Sequence, residues 1–221
     1  MDKTILYYSS NREDPVFEQK IVDDLLSKAG NLPIISVTQK PMNVGKNICI
    51  GDKGQSYINE WRQIVIGAKE ATTEYLIMAE SDFLYPPEYF QFEPKGENIY
   101  LYDNVWIMWM EGTFKSFHRK SRSEGAQVIK RQYLIDILEA YLVRYPGWWG
   151  EEYKKEGPHH SPYFSAHRKK KIAFFHGENP SISVKTRQGI NWMVGRLGGK
   201  GNISRSLPYW GDVKKLRNKF L

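Results

Sequence analysis

The chain has 221 residues, of which 41% are hydrophobic and 14% are aromatic, a composition typical of a globular protein and not of a disordered one. A single cysteine, Cys49, excludes an internal disulfide framework and favours a reducing compartment. The formal net charge of +7 is unevenly distributed, since residues 1–112 hold 10 Lys or Arg against 17 Asp or Glu, and residues 113–221 hold 22 against 8. The first half is therefore acidic (−7) and the second half basic (+14).

Neither a leader segment nor a membrane span is evident in the sequence. The chain enters its first predicted strand at Thr4 without a basic segment followed by an apolar one, so we expect no signal peptide and a cytoplasmic location. No apolar run approaches the roughly 18 residues that a membrane-spanning helix needs. We expect a single domain over residues 1–221, because this length suits one α/β domain and no linker divides it.

The start of the chain predicts a strand, a helix and a second strand. Residues 5–9 form an apolar run typical of a strand. Asp14 and Pro15 then form an N-cap and first-turn pair that starts a helix, and Gly30 marks its end. Residues 33–37 predict the next strand. This opening favours a parallel sheet covered by helices, and hence an α/β fold.

A second helix is predicted after a Gly- and Lys-rich loop at residues 39–56. Asn59 and Arg62 are three residues apart, so their side chains neighbour each other on the surface of this helix. Apolar residues recur at helical spacing and give the helix a core face: Ile58, Trp61, Val65 and Ala68.

An acidic pair ends the strand that follows. Residues 75–79 are apolar and lead directly into Glu80 and Asp82, which lie two apart and so point to the same side of an extended backbone. Two carboxylates at the end of a buried strand suit a divalent cation held beside a phosphate-bearing ligand. In the alternative interpretation, these acids simply face water at the end of a strand.

The remaining pattern predicts fewer elements. Residues 99–102 and 105–110 are expected to form a hairpin or two short strands, followed by a basic loop over 112–124. Residues 127–143 show helical spacing of apolar side chains and predict an amphipathic helix. Residues 172–175 predict the last strand.

The order of these features resembles the nucleotide-sugar glycosyltransferases of the GT-A fold. The shared pattern is an Asn- and Arg-bearing helix, an apolar strand, a metal motif of the DxD type with Glu80 as its first acid, and the turn Tyr85-Pro86-Pro87. The resemblance implies a three-layer, Rossmann-like fold with a mostly parallel central sheet. It also implies an Mn²⁺ or Mg²⁺ ion bound by Glu80, Asp82 and His176. For His176 the alternative is a strand-end histidine with a satisfied hydrogen bond.

A second stretch resembles the inverting galactosyl- and N-acetylgalactosaminyltransferases. A helix that opens near Gly125 is followed by Trp148-Trp149-Gly150-Glu151-Glu152, which is similar to a Trp-Gly-Gly-Glu-Asp segment of that family, with Trp149 in place of the first glycine. The resemblance implies that Glu152, or Glu151 as the second choice, is the general base that takes the proton of the acceptor hydroxyl. The alternative is an exposed acidic pair with a capping role.

The first half of the chain, residues 1–110, is expected to bind the donor at the C-terminal ends of its strands, with UDP as the expected nucleotide. The turn after the first strand has an alternative role, which is only to cap the next helix. The residues expected to bind the nucleotide-sugar are Ser9, Asn11, Arg12, Asn59, Arg62, Glu80, Trp148 and Trp149.

The basic half, residues 111–221, is expected to bind the acceptor. Its charge favours a polyanionic partner, and the leading acceptor is a hydroxymethylated pyrimidine flipped out of DNA, as for a phage-type DNA-modifying glycosyltransferase. Alternatives are a glycan or lipid-linked acceptor at an anionic membrane, a non-catalytic nucleic-acid-binding protein, and a solvated basic face without a partner. The residues expected to contact the acceptor are Lys115, Arg119, Lys120, Arg122, Lys130 and Arg131.

Overall fold

Helices and strands are interleaved along the chain in the computed structural model, which describes residues 2–112, 114–120, 123–149, 172–190 and 202–221. Within these residues the helices are α1 (Pro15–Ala29), α2 (Tyr57–Glu70), α3 (Pro87–Gln91), α4 (Arg131–Leu142) and α5 (Val213–Phe220). The strands are β1 (Lys3–Ser9), β2 (Ile34–Thr38), β3 (Lys46–Cys49), β4 (Tyr75–Glu80), β5 (Phe83–Leu84), β6 (Ile99–Tyr102), β7 (Val105–Trp109), β8 (Phe117–Lys120), β9 (Gln127–Lys130), β10 (Ala173–Phe175), β11 (Ser181–Lys185), β12 (Ile203–Ser204), β13 (Ser206–Leu207) and β14 (Gly211–Asp212).

A seven-stranded sheet lies at the centre of the described part of the chain, in the order β10-β6-β9-β4-β1-β2-β3. Neighbouring strands are parallel except at β9, which runs antiparallel to both β4 and β6. Helices α2 and α4 cover one face, whereas α1 and α3 cover the other. This arrangement confirms the predicted three-layer α/β architecture with a mostly parallel central sheet. It also brings the C-terminal ends of β1 and β4 side by side.

Strand β4 is buried on both faces, as its uninterrupted apolar run predicts. Its side chains alternate between two cores: Leu76 and Met78 contact the layer that holds α2, whereas Ile77 and Ala79 contact the layer that holds α1. Glu80 is two residues after Met78 in the strand, so its side chain lies on the same face of the sheet, the one that α2 covers. The alternation therefore fixes the face on which the first acid of the predicted metal motif lies.

Helix α1 begins and ends where the sequence predicts. The Asp14 side chain accepts hydrogen bonds from the backbone N–H groups of Val16 and Phe17, at 2.9 and 3.0 Å. Gly30 ends the helix with a positive φ of 60°, a conformation that glycine adopts without strain. This helix has 15 residues and is the longest that the structure describes, and no helix of the described residues is long and apolar enough to cross a membrane.

A five-stranded sheet, in the order β12-β8-β7-β11-β5, decides between the two alternatives for residues 99–110, and two further strands of the described residues lie inside predicted loops. Strands β6 and β7 belong to different sheets, so residues 99–110 form two strands and not a hairpin. Strand β8 lies inside the predicted 112–124 loop, and β3 lies inside the predicted 39–56 loop. Both strands are largely polar and half-exposed, so they lack the apolar alternation from which a strand is predicted.

Strand β9 corrects the predicted helix over 127–143, because that helix begins only at Arg131. Gln127, Val128 and Ile129 are buried; Val128 and Ile129 pair with both β4 and β6, and Gln127 pairs with β6. Tertiary pairing with two strands thus overrides the local helical pattern. The predicted last strand, β10, is likewise followed by β11, whose five residues are all buried.

Candidate active site

Glu80 lies at the C-terminal end of β4, in register with Tyr8 of β1. The Tyr8 hydroxyl donates a hydrogen bond of 2.8 Å to Glu80 Oε1. Behind the carboxylate lies Gly125, where a Cβ atom would stand 2.4 Å from the Glu80 carboxyl carbon. A side chain at position 125 would displace the Glu80 carboxylate from its present position, so this glycine leaves the space that the carboxylate occupies.

Tyr85 ties the two predicted motifs together. Its hydroxyl accepts a hydrogen bond from the Glu80 backbone N–H at 3.0 Å and donates one to the Gly125 carbonyl at 2.5 Å. Burial raises the pKa of Tyr85 well above its usual value, so the hydroxyl keeps its proton and remains a donor. The Tyr-Pro-Pro turn therefore positions the acidic residue that precedes it.

Asp82 follows β4 and is fixed through its backbone, whose carbonyl accepts a 2.7 Å hydrogen bond from Val184 N. Its Oδ2 atom lies 3.7 Å from the Nζ atom of Lys185, the last residue of β11. Lys120, the last residue of β8, donates a 2.9 Å hydrogen bond to Ser123 Oγ. Burial, together with the ammonium of Lys185, lowers the pKa of Lys120 to about 8. Two lysines therefore accompany the acidic pair.

Four carboxyl groups form what we call the carboxylate cluster: Glu13, Glu60, Glu80 and Asp82. Burial raises the pKa of Glu80, and the charge of Asp82 raises it further. Burial and Glu80 likewise raise the pKa of Glu60. Burial and Asp82 raise that of Glu13 to about 7. Because these groups disfavour each other's charged forms, a bound cation would relieve their repulsion.

Glu80 and Asp82 suit a divalent metal ion by their chemistry, since carboxylate oxygens are preferred ligands of Mg²⁺ and Mn²⁺. Among the described residues, no group of three or more His, Cys, Asp or Glu side chains is arranged to hold a metal. Mg²⁺ commonly takes only one or two protein carboxylates and completes its shell with substrate phosphates and water. The acidic pair therefore fits an ion that binds together with a diphosphate.

The structure does not bring His176 together with Glu80 and Asp82. His176 follows β10, which is three strand positions away from β4, or about 14 Å at the usual strand spacing. Its Nδ1 atom lies 2.7 Å from Asp103 Oδ1, and the side chain is exposed. This geometry matches the alternative interpretation, a strand-end histidine with a satisfied hydrogen bond.

The turn after β1 is built from its own polar side chains. Asn11 has a positive φ of 52°, and its Oδ1 accepts hydrogen bonds from the backbone N–H groups of Gln39 and Lys40, both at 2.8 Å. Ser9 Oγ accepts from Asn11 N at 2.9 Å. Ser9 and Asn11 are buried and hold the loop. Arg12, by contrast, is partly exposed and pairs with Asp52 at 2.9 Å.

Asn59 is a buried clamp and not an open ligand group. Its amide nitrogen donates to the carbonyls of Lys53, Gly54 and Trp149, and its Oδ1 accepts from Trp149 N at 2.8 Å. The side chain therefore ties the 39–56 segment and residue 149 to the start of α2. The Arg62 guanidinium donates to the Tyr145 carbonyl on the same side of the helix.

Trp148 lies beside two cations, with Arg62 Cζ 6.0 Å and Lys53 Nζ 5.9 Å from its ring centroid. Trp149 contacts the ring of Tyr145 edge-on at 5.2 Å. Both tryptophans are thus held against α2 and its preceding loop. The predicted bases, Glu151 and Glu152, lie outside the described residues.

The predicted acceptor residues that the structure describes do not form one surface. Arg119 donates to Asn104 and to the Asp103 carbonyl near the C-terminal end of β6, and Lys120 faces the carboxylate cluster. Lys130 pairs with Tyr75 at the opposite end of β4, about 17 Å from Glu80 at the usual strand rise. Arg131 Nε donates to the Thr73 carbonyl there, Lys115 is exposed before β8, and Arg122 lies outside the described residues.

Sequence reasoning gave no role in the site to five residues of this region: Tyr8, Glu13, Glu60, Tyr85 and Lys185. Lys185 carries a usable signal, because a charged residue ends a short run in which serine alternates with an apolar residue, much as Glu80 ends β4. Tyr85 belongs to the recognised turn, but its partners are fixed only by the fold. Tyr8 and its partner are 72 residues apart, so no local pattern indicates their contact.

Comparisons with known proteins give only weak similarity. No protein-family model matches the chain, and no curated protein matches it. The bifunctional IspDF from Campylobacter jejuni matches with a TM-score of 0.48 at 10% identity, over 81% of this chain and 50% of that one. S. aureus TarS 1–349 matches with a TM-score of 0.48 at 8% sequence identity, over 83% of this chain and 60% of that one. A glycosyltransferase involved in glycosylation of the PBCV-1 major capsid matches with 0.46 at 11%, over 80% and 82%. The chain spans no more than three-fifths of the first two proteins, and similarity at this level does not bear on function.

Proposed function

We propose that the protein is a glycosyltransferase that moves a sugar from a nucleoside diphosphate donor, in the first instance UDP, to an acceptor hydroxyl. The observation that carries the proposal is the pair Glu80 and Asp82 at the C-terminal edge of the sheet, partly buried and accompanied by Lys120 and Lys185. Acids that merely faced water would not have the partners that Glu80 has in Tyr8 and Asp82 has in Lys185. The motif order supports the same assignment.

The leaving group of this reaction is a diphosphate, on which negative charge grows as the bond to the anomeric carbon breaks. A divalent ion at Glu80 and Asp82 would act as a Lewis acid toward that charge. The ammonium groups of Lys120 and Lys185 would add fixed positive charge in a partly desolvated site, where electrostatic stabilisation is strong. Tyr85 would keep Glu80 in place through the backbone.

The inverting mechanism remains a prediction that depends on residues 151 and 152. A carboxylate there, Glu152 as the first choice and Glu151 as the second, would take the proton of the acceptor hydroxyl. At the same time the hydroxyl oxygen would bond to the anomeric carbon, and the diphosphate would leave. The described neighbours support this role, because Asn59 fixes the backbone of Trp149, which is two residues before Glu151 and three before Glu152. Trp148 and Trp149 would provide an apolar wall.

DNA with a hydroxymethylated pyrimidine remains the leading acceptor because the second half of the chain carries a net charge of +14. The separation of Lys120 from Lys130 and Arg131 limits any continuous basic surface to part of the predicted set. Transfer to hydroxymethylated duplex, plain duplex and lipid-linked or glycan acceptors should be compared at two salt concentrations. Transfer only to a glycan or lipid would exclude the DNA acceptor.

The donor activity is testable without knowing the acceptor. The chain should be screened by thermal shift against UDP, GDP, TDP and CDP with and without Mn²⁺, since a specific ligand raises the unfolding temperature by mass action. The matching nucleotide-sugars should then be incubated with the protein and the release of free nucleotide measured. We expect slow donor hydrolysis that is lost in Asp82→Asn and kept in Asp136→Asn, an exposed control on α4. No stabilisation and no hydrolysis with any donor would contradict the proposal.

A further inference from the structure

Lys185 has a fixed backbone and a buried side chain. It ends β11, where it pairs with Trp109 of β7, and its carbonyl accepts a 2.9 Å hydrogen bond from Met110 N. The residue is only 9% exposed. The direction of its side chain is therefore set by the strand, and it delivers an ammonium group to Asp82.

The Lys185 ammonium makes no side-chain hydrogen bond to another described residue. Within the described residues, Lys185 Nζ has an ion pair with Asp82 at 3.7 Å, which is too long for a hydrogen bond, and no closer polar partner. Lys3 provides the contrast, because it is 4% exposed and its Nζ donates to the Phe92 carbonyl at 2.6 Å and to Glu93 at 2.7 Å. The Lys185 ammonium therefore lies close to Asp82 with its three N–H donors unused by the other described residues, and these donors are available to a ligand.

The surroundings explain why a cation lies at this point. Asp82 is in electrostatic contact with the other members of the carboxylate cluster, and its charge raises the pKa of Glu80 and of Glu13. Lys185 opposes this excess of negative charge from within the protein. A divalent ion bound to Asp82 would lie close to the Lys185 ammonium. The two cations would repel each other, so Lys185 would compete with the ion for this carboxylate.

We propose that Lys185 is a displaceable counter-ion of Asp82, which disfavours binding of a metal ion alone and turns to the diphosphate when metal and nucleotide bind together. This inference rests on the proposed function. In the free protein the Lys185 ammonium neutralises Asp82. On binding of a metal–diphosphate complex, Asp82 would hold the metal, and the Lys185 ammonium would turn from Asp82 to a phosphate oxygen. Metal and nucleotide would then bind cooperatively, each raising the affinity for the other by the same factor.

The test is a set of calorimetric titrations with Mn²⁺ alone, with UDP alone, and with UDP at saturating Mn²⁺. For Lys185→Met we expect Mn²⁺ alone to bind about tenfold or more tightly than to the wild type, and UDP with Mn²⁺ to bind about tenfold or more weakly. Lys185→Arg should stay close to the wild type because it keeps the charge. Lys69→Met, which removes an exposed lysine on α2 that pairs with Glu139 of α4, should also match the wild type.

The result that overturns the proposal is an unchanged Mn²⁺ affinity in Lys185→Met that remains folded by circular dichroism. If that variant does not fold, Lys185→Gln keeps a polar group of similar length and carries the same two expectations. The Mn²⁺ titration needs no nucleotide, so it separates the two proposals. Tighter Mn²⁺ binding in the variant would support the role of Lys185 as a counter-ion of Asp82. If the wild type then bound no UDP, the proposed move of Lys185 to a diphosphate would be overturned, and a UDP donor would be disfavoured.

Discussion

Two polar regions at the C-terminal edge of the sheet differ in how completely their groups are bonded. Asn11 and Asn59 use their side-chain amides on the backbone of neighbouring loops, and both are buried. In the carboxylate cluster, by contrast, burial and mutual repulsion raise the pKa values of Glu80 and Glu13. Lys185 meets Asp82 only at 3.7 Å. The amides stabilise the frame of the site, whereas the charged groups are held there at a cost in stability.

The difference suggests which residues serve the reaction. A buried amide with all its hydrogen bonds formed contributes to folding and has little capacity left for a ligand. Buried charges that are imperfectly paired stabilise a fold poorly, and they are concentrated at functional sites. Ser9, Asn11 and Asn59 therefore support the site, and Glu80, Asp82 and Lys185 are the better candidates for contact with donor and metal.

Asp82→Asn should show the largest effect and separate activity from stability. Loss of the charge that would hold the metal should lower donor hydrolysis by roughly 10²–10³-fold or more, the range seen for removal of one electrostatic group from an active site. The free energy of unfolding should change by less than about 1 kcal/mol, because repulsion within the cluster falls as the pair with Lys185 is lost. Donor hydrolysis and urea unfolding measure the two quantities. Retained hydrolysis would remove Asp82 from the site.

Asn59→Ala should show the opposite pattern, with a large loss of stability. Removing the amide leaves the carbonyls of Lys53 and Trp149 without their partner, and we expect a loss of about 2–4 kcal/mol in the free energy of unfolding. Urea unfolding followed by tryptophan fluorescence measures this loss. Gln132→Ala, which removes an exposed amide bonded to Asp136, is the matched control and should change stability by less than about 0.5 kcal/mol. Equal effects in the two variants would contradict the clamp.

Glu13→Gln should change the pH dependence of stability. The pKa of Glu13 is raised to about 7, above the value of about 4.3 expected in the unfolded chain, so the folded state binds the proton more tightly. The stability that the folded protein gains from this tighter proton binding is fully present below about pH 4.3, falls between pH 4.3 and 7, and is absent above about pH 7.

The glutamine keeps an oxygen for the 2.8 Å hydrogen bond from Thr186 and cannot ionise. The free energy of unfolding of the variant should therefore exceed that of the wild type by about 1–3 kcal/mol at pH 8 and by almost nothing at pH 4. Melting temperatures across this range give the comparison, with the exposed Glu97→Gln as a control for loss of one carboxylate. A gain that does not vary with pH would show that Glu13 does not titrate in this window.

His176→Ala should have the smallest effect. The side chain is exposed, pairs with Asp103 and lies three strands from β4, so donor hydrolysis should stay within about twofold of the wild type. Steady-state hydrolysis with saturating Mn²⁺ is the measurement. A loss of about 100-fold would restore His176 as a metal ligand and would require its segment to approach Asp82.

The sequence by itself determined the elements whose signals are local. The cap at Asp14, the stop at Gly30 and the apolar run before Glu80 depend on residues within a few positions of each other, and the structure has all three. The class of fold followed, because a strand–helix–strand opening has few ways to cover its sheet.

Only the tertiary structure decided what surrounds the acidic pair. Strand β9 is defined by its pairing with β4, and β8 by its pairing with β7 and with the distant β12, whereas local pattern favoured a helix and a loop there. Tyr8, Gly125 and Lys185 reach Glu80 or Asp82 across 40 to more than 100 residues of sequence, through strand register and close packing. Hydrophobic patterning encodes which face of an element is buried, but it does not encode which charges a fold brings together, and that pairing is what gives the site its chemistry.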